Sequence, residues 1–453
     1  MIYKLSIITT LVLVSCAFSQ AQDQITIESP LTFKEAVEIG LKKNINLKRQ
    51  SNQLESIEAQ RLNARGQYLP SLGISGQGMR TDGQQINSVS GAGENITSDR
   101  FGGSIDANYT LFNGFNRLQN MKASSMAFQA QSSGVQRAKQ DVIADITNQF
   151  LQVLFDQELV RIAKENLETQ EVILEQIKGF VESGIRAMPE EYSQIAIVKN
   201  NELLLIRAQN TYANDKSTLS QMLQFDPTLA YEIAVPEWNV EEVIALQYDL
   251  DELYNQATVN RYDLKQSQLQ SEASKFQMKA RSSGYLPSFG IFMSYGSQYF
   301  AIQGKEGVSS FNKQFFDLNP QLSYGFNFSI PLFDRFQTHS NKTQAKVNYL
   351  NAENDYENLQ KTVLIDVQRA HQNFKNAIIG YRAAQAQLES AQLSFDLEKE
   401  RYDLGLSSLV EYNQANQRFV QAQADMAQAK YTLLFQDILL QYAIGTLGID
   451  DIH

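Results

Sequence analysis

Between Phe336 and Tyr402 the chain holds no proline and one internal glycine, Gly380. Apolar residues fall at Tyr356, Leu359, Val363, Val367, Ala370, Phe374, Ala377, Tyr381, Ala384, Leu388, Ala391 and Phe395. The steps alternate between three and four, a period of about 3.5, which is a left-handed coiled-coil seam rather than the face of a short globular helix. At 1.5 Å per residue this stretch makes a rod of roughly 100 Å. Few folds accommodate such a rod, so the rest of the chain has to explain what it connects.

The chain has 453 residues, a formal charge of −11 and 43% hydrophobic residues. That length allows two to four domains. Acidic balance without a basic run argues against nucleic acid as a partner. After the N-terminus no run of about 18 apolar residues occurs, so no membrane-spanning helix is expected. The only cysteine is Cys16, which excludes a disulfide framework and a thiolate metal site in the mature chain. Lys4, the apolar stretch Leu5–Phe18 and the small residues after it form an export signal over residues 1–21. Two cut sites are open. Ser19 and Ala21 suit a cut before Gln22. Leu13-Val14-Ser15-Cys16 instead fits a lipobox, with Cys16 lipidated.

Landmarks recur at constant offsets. Tyr68-Leu69-Pro70-Ser71-Leu72-Gly73 nearly repeats as Tyr285-Leu286-Pro287-Ser288-Phe289-Gly290, 217 residues on, and Leu47 and Leu264 share that offset. Leu111-Phe112-Asn113-Gly114-Phe115 is echoed by Leu332-Phe333-Asp334-Arg335-Phe336 at offset 221, as are Gly184 and Gly405. One duplicated unit of about 220 residues follows. The first unit, 31–223, reads helix, strands at about 70–80 and 101–112, a long helix at about 115–182 and a helix at about 189–223. A connector at 224–250 leads to the second unit, 251–447. That unit has a helix, strands at about 287–297 and 320–332, a long helix at about 336–403 and a helix at about 409–447, before a tail at 448–453. Thr32 to Glu35 is a capping box that opens the first helix.

The strands alternate strictly. Leu322, Tyr324, Phe326, Phe328 and Ile330 stand against Ser323, Gly325, Asn327 and Ser329, giving one greasy and one wet face. The long helices need their seams for each other, so lipid is the partner left for the greasy face. Strands of about 9–12 residues suit a tilted outer-membrane strand. The Gly/Ser/Asn/Gln-rich stretches at about 80–100 and 298–318 read as external loops. Four strands cannot close a barrel. Copies must pool them, two giving eight strands and three giving twelve.

This combination resembles the TolC family of outer-membrane efflux proteins. The resemblance rests on the signal, Leu31-Thr32-Phe33-Lys34-Glu35-Ala36-Val37, the paired Tyr-Leu-Pro-Ser and Leu-Phe stations, Tyr402-Asp403-Leu404-Gly405 and Ala443-Ile444-Gly445-Thr446-Leu447. It covers essentially the whole mature chain. The resemblance implies an α+β membrane protein of the bacterial outer membrane. Its homotrimer would have a 12-strand β-barrel, four strands per chain, continued into the periplasm by a coiled-coil helical tunnel. It also implies a periplasmic membrane-fusion adaptor and an inner-membrane pump of RND or ABC type as partners, with neither cofactor nor catalysis.

In that family acidic residues just past the tip turns narrow the entrance. Glu411 matches one such position and Glu190 or Glu191 the other. The second acid one turn on is Gln414 here, and an arginine partner is Ser407. The structural alternative is that Glu411 belongs to a capping box with Ser408, and that Glu190 and Glu191 are ordinary first-turn acids. Gly184 and Gly405, with Ile185, Leu404 and Leu406, mark the helix-hairpin tips where an adaptor would dock. No catalytic set converges, and His339 and His371 read as polar helix-surface residues. A passive exit duct is the leading expectation, and an envelope-anchored coiled-coil scaffold without transport is the alternative.

Overall fold

The computed structural model describes residues 30–86, 91, 93–226, 231–236, 238, 240–305 and 307–448. The export signal with Cys16 and the end of the tail lie outside the described residues.

The opening helix is broken once. Helix α1, Phe33–Lys43, starts on the foreseen capping box, with the Thr32 and Glu35 side chains capping each other's backbone N–H. It stops at Asn44, whose side chain accepts from Leu47 N–H and starts α2, Ile45–Gly66. The strands differ from expectation in length. Strand β1 runs Ser71–Ile86 and β2 Gly93–Asn113, in antiparallel register from Ser71↔Asn108 to Ile86↔Gly93. Most of the expected loop at 80–100 is therefore sheet. Its polar composition hides strand pairing that is made by the backbone and by the Arg80–Asp99 pair at 2.6 Å.

Helix α3, Asn116–Glu182, and α4, Met188–Met222, follow. The connector carries one parallel bridge, Leu31↔Ile233, and an unforeseen short helix α5, Val240–Ala245. The second opening helix is also broken, into α6, Leu250–Asn260, and α7, Tyr262–Ser282. Strand β3, Ser288–Ile302, is longer than expected. Strand β4, Gln321–Ser329, is shorter, so Ile330 lies past its end, where Pro331 removes a donor. Helix α8, Gln337–Asp403, and α9, Leu409–Ile444, complete the chain. The four strands form one antiparallel sheet in the order β1-β2-β3-β4.

The two long helices are each 67 residues, roughly 100 Å. All twelve seam residues of α8 are buried or half-buried. Helix α3 packs on α2 and α7 toward the sheet and on α4 toward its far end, and α8 packs likewise on α7 and then α9. Midway along, α1, α5 and α6 gather against α3, α8 and α9 around Phe33, Ile146, Phe150, Leu433 and Leu440, the main apolar core. His371 is buried there and not on the helix surface. Burial, then nearby Lys375, push its pKa down.

Arg261, at the break before α7, is only 5% exposed and ties three elements together. It donates to Asp263 at 2.6 Å, to Asp366 at 3.4 Å and to the Ala443 carbonyl at 3.3 Å. Removing one partner of a buried ion pair leaves a charge without compensation and costs about 3–5 kcal/mol, somewhat less here because the aspartates keep some water. Arg161, 50% exposed beside Glu158 and Glu165, is a surface pair worth less than about 1 kcal/mol. Denaturant unfolding of detergent-solubilised protein should show Arg261→Ala strongly destabilised and Arg161→Ala nearly unchanged. Equal losses would contradict this account of the junction.

Candidate functional site

Two regions carry the candidate functional residues, the sheet and the far tip of the helices. In an antiparallel sheet, residues directly opposite one another share a face. Tyr324 lies opposite Met293, Met293 opposite Ala107, and Ala107 opposite Leu72. Leu322, Phe326 and Phe328 lie on the same face, opposite Tyr295, Ile291 and Phe289. Most of this face is exposed, Tyr324 to 78%, with Ala107 and Phe289 half-buried. The other face carries Ser75, Gln77, Ser104, Ser294, Gln298 and Ser323 and lines a concavity of ≈ 520 Å³. A row of hydrogen bonds crosses it: Ser75 to Ser104 at 2.8 Å, Ser104 to Asp106 at 2.7 Å and Ser294 to Asp106 at 2.6 Å. The hollow side is wet and the opposite side is greasy. At Leu111 a bulge shifts the register and hands the greasy face to Phe112, opposite Phe289.

The passage from sheet to long helix is built the same way twice. Asn113 accepts from Arg117 N–H at 3.2 Å, and Asp334, 221 residues later, accepts from Thr338 N–H at 2.7 Å. Phe115 and Phe336 both take left-handed backbone angles, with φ of 69° and 64°. Each ring meets the phenylalanine three residues before it edge-on, Phe112 and Phe333 respectively. The matching Leu-Phe stations contained this signal, but the cap was not read from them.

At the far end, α3 closes on Gly184 and α8 on Gly405, with φ of +73° and +72°. Ile185 N–H reaches the Phe180 carbonyl and Gly184 N–H that of Val181. Leu406 and Gly405 repeat this on Arg401 and Tyr402. Both are Schellman ends. A Cβ on either glycine would meet nothing, so glycine is favoured there for its φ and not for room. Ile185, Leu404 and Leu406 are exposed and not packed across the hairpin, whereas Tyr402 is buried. Glu411 accepts from Ser408 N–H at 2.8 Å in a complete capping box, and that backbone bond, then the Ser408 hydroxyl, hold its pKa down. Glu190 pairs with Arg186 at 3.0 Å, and the guanidinium lies over the Tyr402 ring. Glu191 is half-buried in the same turn, and Gln414 is exposed.

A set of amides behind the tip went unread in the sequence. Asn416 of α9 donates to Asn166 of α3 at 2.8 Å, and Asn166 donates to Asn201 of α4 at 2.9 Å. Gln194 of α4 donates to Gln170 of α3 at 2.7 Å and accepts from Asn413 of α9 at 3.4 Å. These rungs tie the two hairpins together. Ile162, Asn166, Gln170, Ile173 and Ile177 keep seam spacing, which is the sequence signal that marks the two amides as inward. Among the described residues no group of three or more His, Cys, Asp or Glu could hold a metal ion.

A sheet with one greasy face, feeding helices about 100 Å long, defines the wall of an outer-membrane channel. The sequence model of the family described as outer membrane efflux protein matches residues 37–223 and 253–446. The chain belongs to that family. The outer membrane protein TolC of Salmonella enteritidis is 24% identical over 394 residues, covering 86% of this chain and 77% of that protein. TolC of Vibrio cholerae is 25% identical over 321 residues, covering 69% and 70%. The crystal structure of the Campylobacter jejuni CmeC outer membrane channel superposes with a TM-score of 0.80 at 20% identity, covering 92% of this chain and 88% of that one. The protein resides in the bacterial outer membrane, with a large periplasmic helical part.

Asn166→Ala should leave Asn201 Oδ1 and Asn416 Nδ2 without their shared partner. An unsatisfied buried polar group costs about 1–3 kcal/mol. Amide hydrogen exchange should quicken along α4 and α9 near the tip, with the mid-rod core unchanged. Unaltered exchange would show that the rungs do not hold the hairpins.

Proposed function

We propose that the chain is one third of a passive exit duct. Three copies pool their strands into a 12-strand barrel and their helices into a periplasmic tunnel, through which a partner pump drives cargo outward. The observation that carries this reading is the sheet itself, with a wet hollow face, a greasy outer face and strands β1 and β4 each with, among the described residues, an edge free of any other strand. A second apolar stripe on α8 supports pooling. Ile365, Ile379 and Leu393 are exposed at intervals of two heptads, on the side away from the buried seam. That is the pattern of a helix packed on both flanks. The matching element order of the two halves, with caps and tips at one offset, supports an internal duplication.

The tip is the gate and docking end in this reading. Ile185, Leu404 and Leu406 give an adaptor an apolar cap, with Gly184 and Gly405 shaping the turns. Glu411, repeated three times, places carboxylates around the entrance, with Glu190, Glu191 and Gln414 nearby. The duct needs no cofactor and performs no reaction.

The Glu411 charge can be separated from its cap, because glutamine also completes a capping box. In planar bilayers the purified protein should conduct. Glu411→Gln should shift the reversal potential in a salt gradient away from cation preference while tip hydrogen exchange stays unchanged. No conductance under any condition, Asn166→Ala included, would overturn the duct.

A further inference from the structure

We propose that the segment Phe311–Leu318, which joins β3 to β4, is a wedge that seats in the outer leaflet of the membrane at headgroup level. It rests on the barrel reading of the sheet. The segment ends in a π-helical turn, Lys313–Leu318, at the hairpin end of the sheet, opposite the helices.

Face parity places it. Counting by twos from the greasy row at Ile105 and Tyr295, Gly103 faces Ser297 and Phe101 faces Tyr299. These positions share the greasy side, yet Gly103 and Ser297 give it almost no apolar surface. Phe315 covers them. Its ring lies 3.3 Å from where a Cβ on Gly103 would stand, and Ser297 donates to its carbonyl. Phe311 meets Tyr299 at 5.2 Å and Phe101 at 5.5 Å between ring centroids. The segment therefore lies outside the barrel wall, not over its mouth, and continues the apolar band where the strands stop supplying it.

It also repairs an edge. Strand β4 pairs with β3 only as far as Gly296, so the backbone of β3 beyond it has no strand partner on that side. In lipid an unpaired peptide group costs several kcal/mol. The Gln314 side chain supplies what a strand would. Its Oε1 accepts from Phe300 N–H at 3.1 Å and its Nε2 donates to the Phe300 carbonyl at 3.0 Å. Asn319 donates to the Gln298 carbonyl at 2.7 Å. A loop in water has no need of this. Phe316, edge-on to Phe315 and Phe311, is 65% exposed and Leu318 59%. Aromatic residues at the rim of an outer-membrane barrel sit at the membrane–water interface.

The chain has one tryptophan, Trp238, in the mid-rod collar against Phe33. Trp238→Phe therefore clears the background for Phe316→Trp, with Leu318→Trp as the second reporter should the first fail to assemble. The full protein is reconstituted in phosphatidylcholine vesicles carrying bromine near the carboxyl end or near the terminus of the acyl chain. The expected result is strong quenching by the shallow bromine, weaker quenching by the deep one, and little by aqueous acrylamide. Quenching by acrylamide alone would make the segment a water-facing loop. Quenching by neither would place it between subunits. Either overturns the wedge. Tyr324→Trp in the same background tests the barrel separately. If it too escapes both lipids, the barrel reading fails, and if it is quenched while Phe316→Trp is not, only the wedge fails.

Discussion

In hydrocarbon no water is present to accept or donate a hydrogen bond, so a sheet edge must be paired or covered. Much of this structure answers to that requirement. The four-stranded sheet offers its greasy face to lipid, and it cannot do so alone, because β1 and β4 each lack a strand neighbour on one side. In the proposed duct, copies of the chain satisfy both edges at once, and a closed ring has no edge left. The upper part of β3, where β4 is too short to reach, is closed instead by the Gln314 side chain.

Closure of the barrel dictates the form of what hangs from it. Each chain sends two helices out of the sheet, at Asn113–Phe115 and Asp334–Phe336, through turns that share a side-chain cap and a left-handed phenylalanine. A rod rooted in a ring needs apolar contacts on both flanks. The buried seam of α8 serves its own chain, and the exposed stripe through Ile365, Ile379 and Leu393 is the flank that the proposed duct assigns to a neighbour. Stability is concentrated midway, where Phe33, Phe150 and Leu440 pack and Arg261 is held by its aspartates. Toward the tip the amide rungs are joined by a smaller apolar cluster around Ile177, Phe395, Tyr402 and Tyr412.

The long helices were legible because a heptad seam free of proline has few other meanings, and the tips because glycine is the residue that most readily takes the left-handed helix end. The strands were legible where alternation was apolar and illegible where it was not. In the Gly/Ser/Asn-rich stretch, residues 80–86 and 93–99 pair through their backbone, which hydropathy does not report. Apolar alternation overran the end of β4 at Ile330 for the opposite reason: the pattern continues where Pro331 prevents pairing. His371 and the Asn166–Asn201–Asn416 rungs were read as surface or passed over, because polar residues on a long helix look solvated until their partners arrive from other helices. At the helix tip, the sequence marked Glu411 by position. The structure adds that its carboxylate is already bonded to the helix it begins.

The central claim is that a single chain is an incomplete wall. Native mass spectrometry of the protein released from detergent micelles counts the copies directly. A complex of three chains, each near 51.2 kDa less the export signal, is the predicted result. A lone chain that persists in every detergent and in lipid nanodiscs would leave two sheet edges bare in hydrocarbon and would contradict the account.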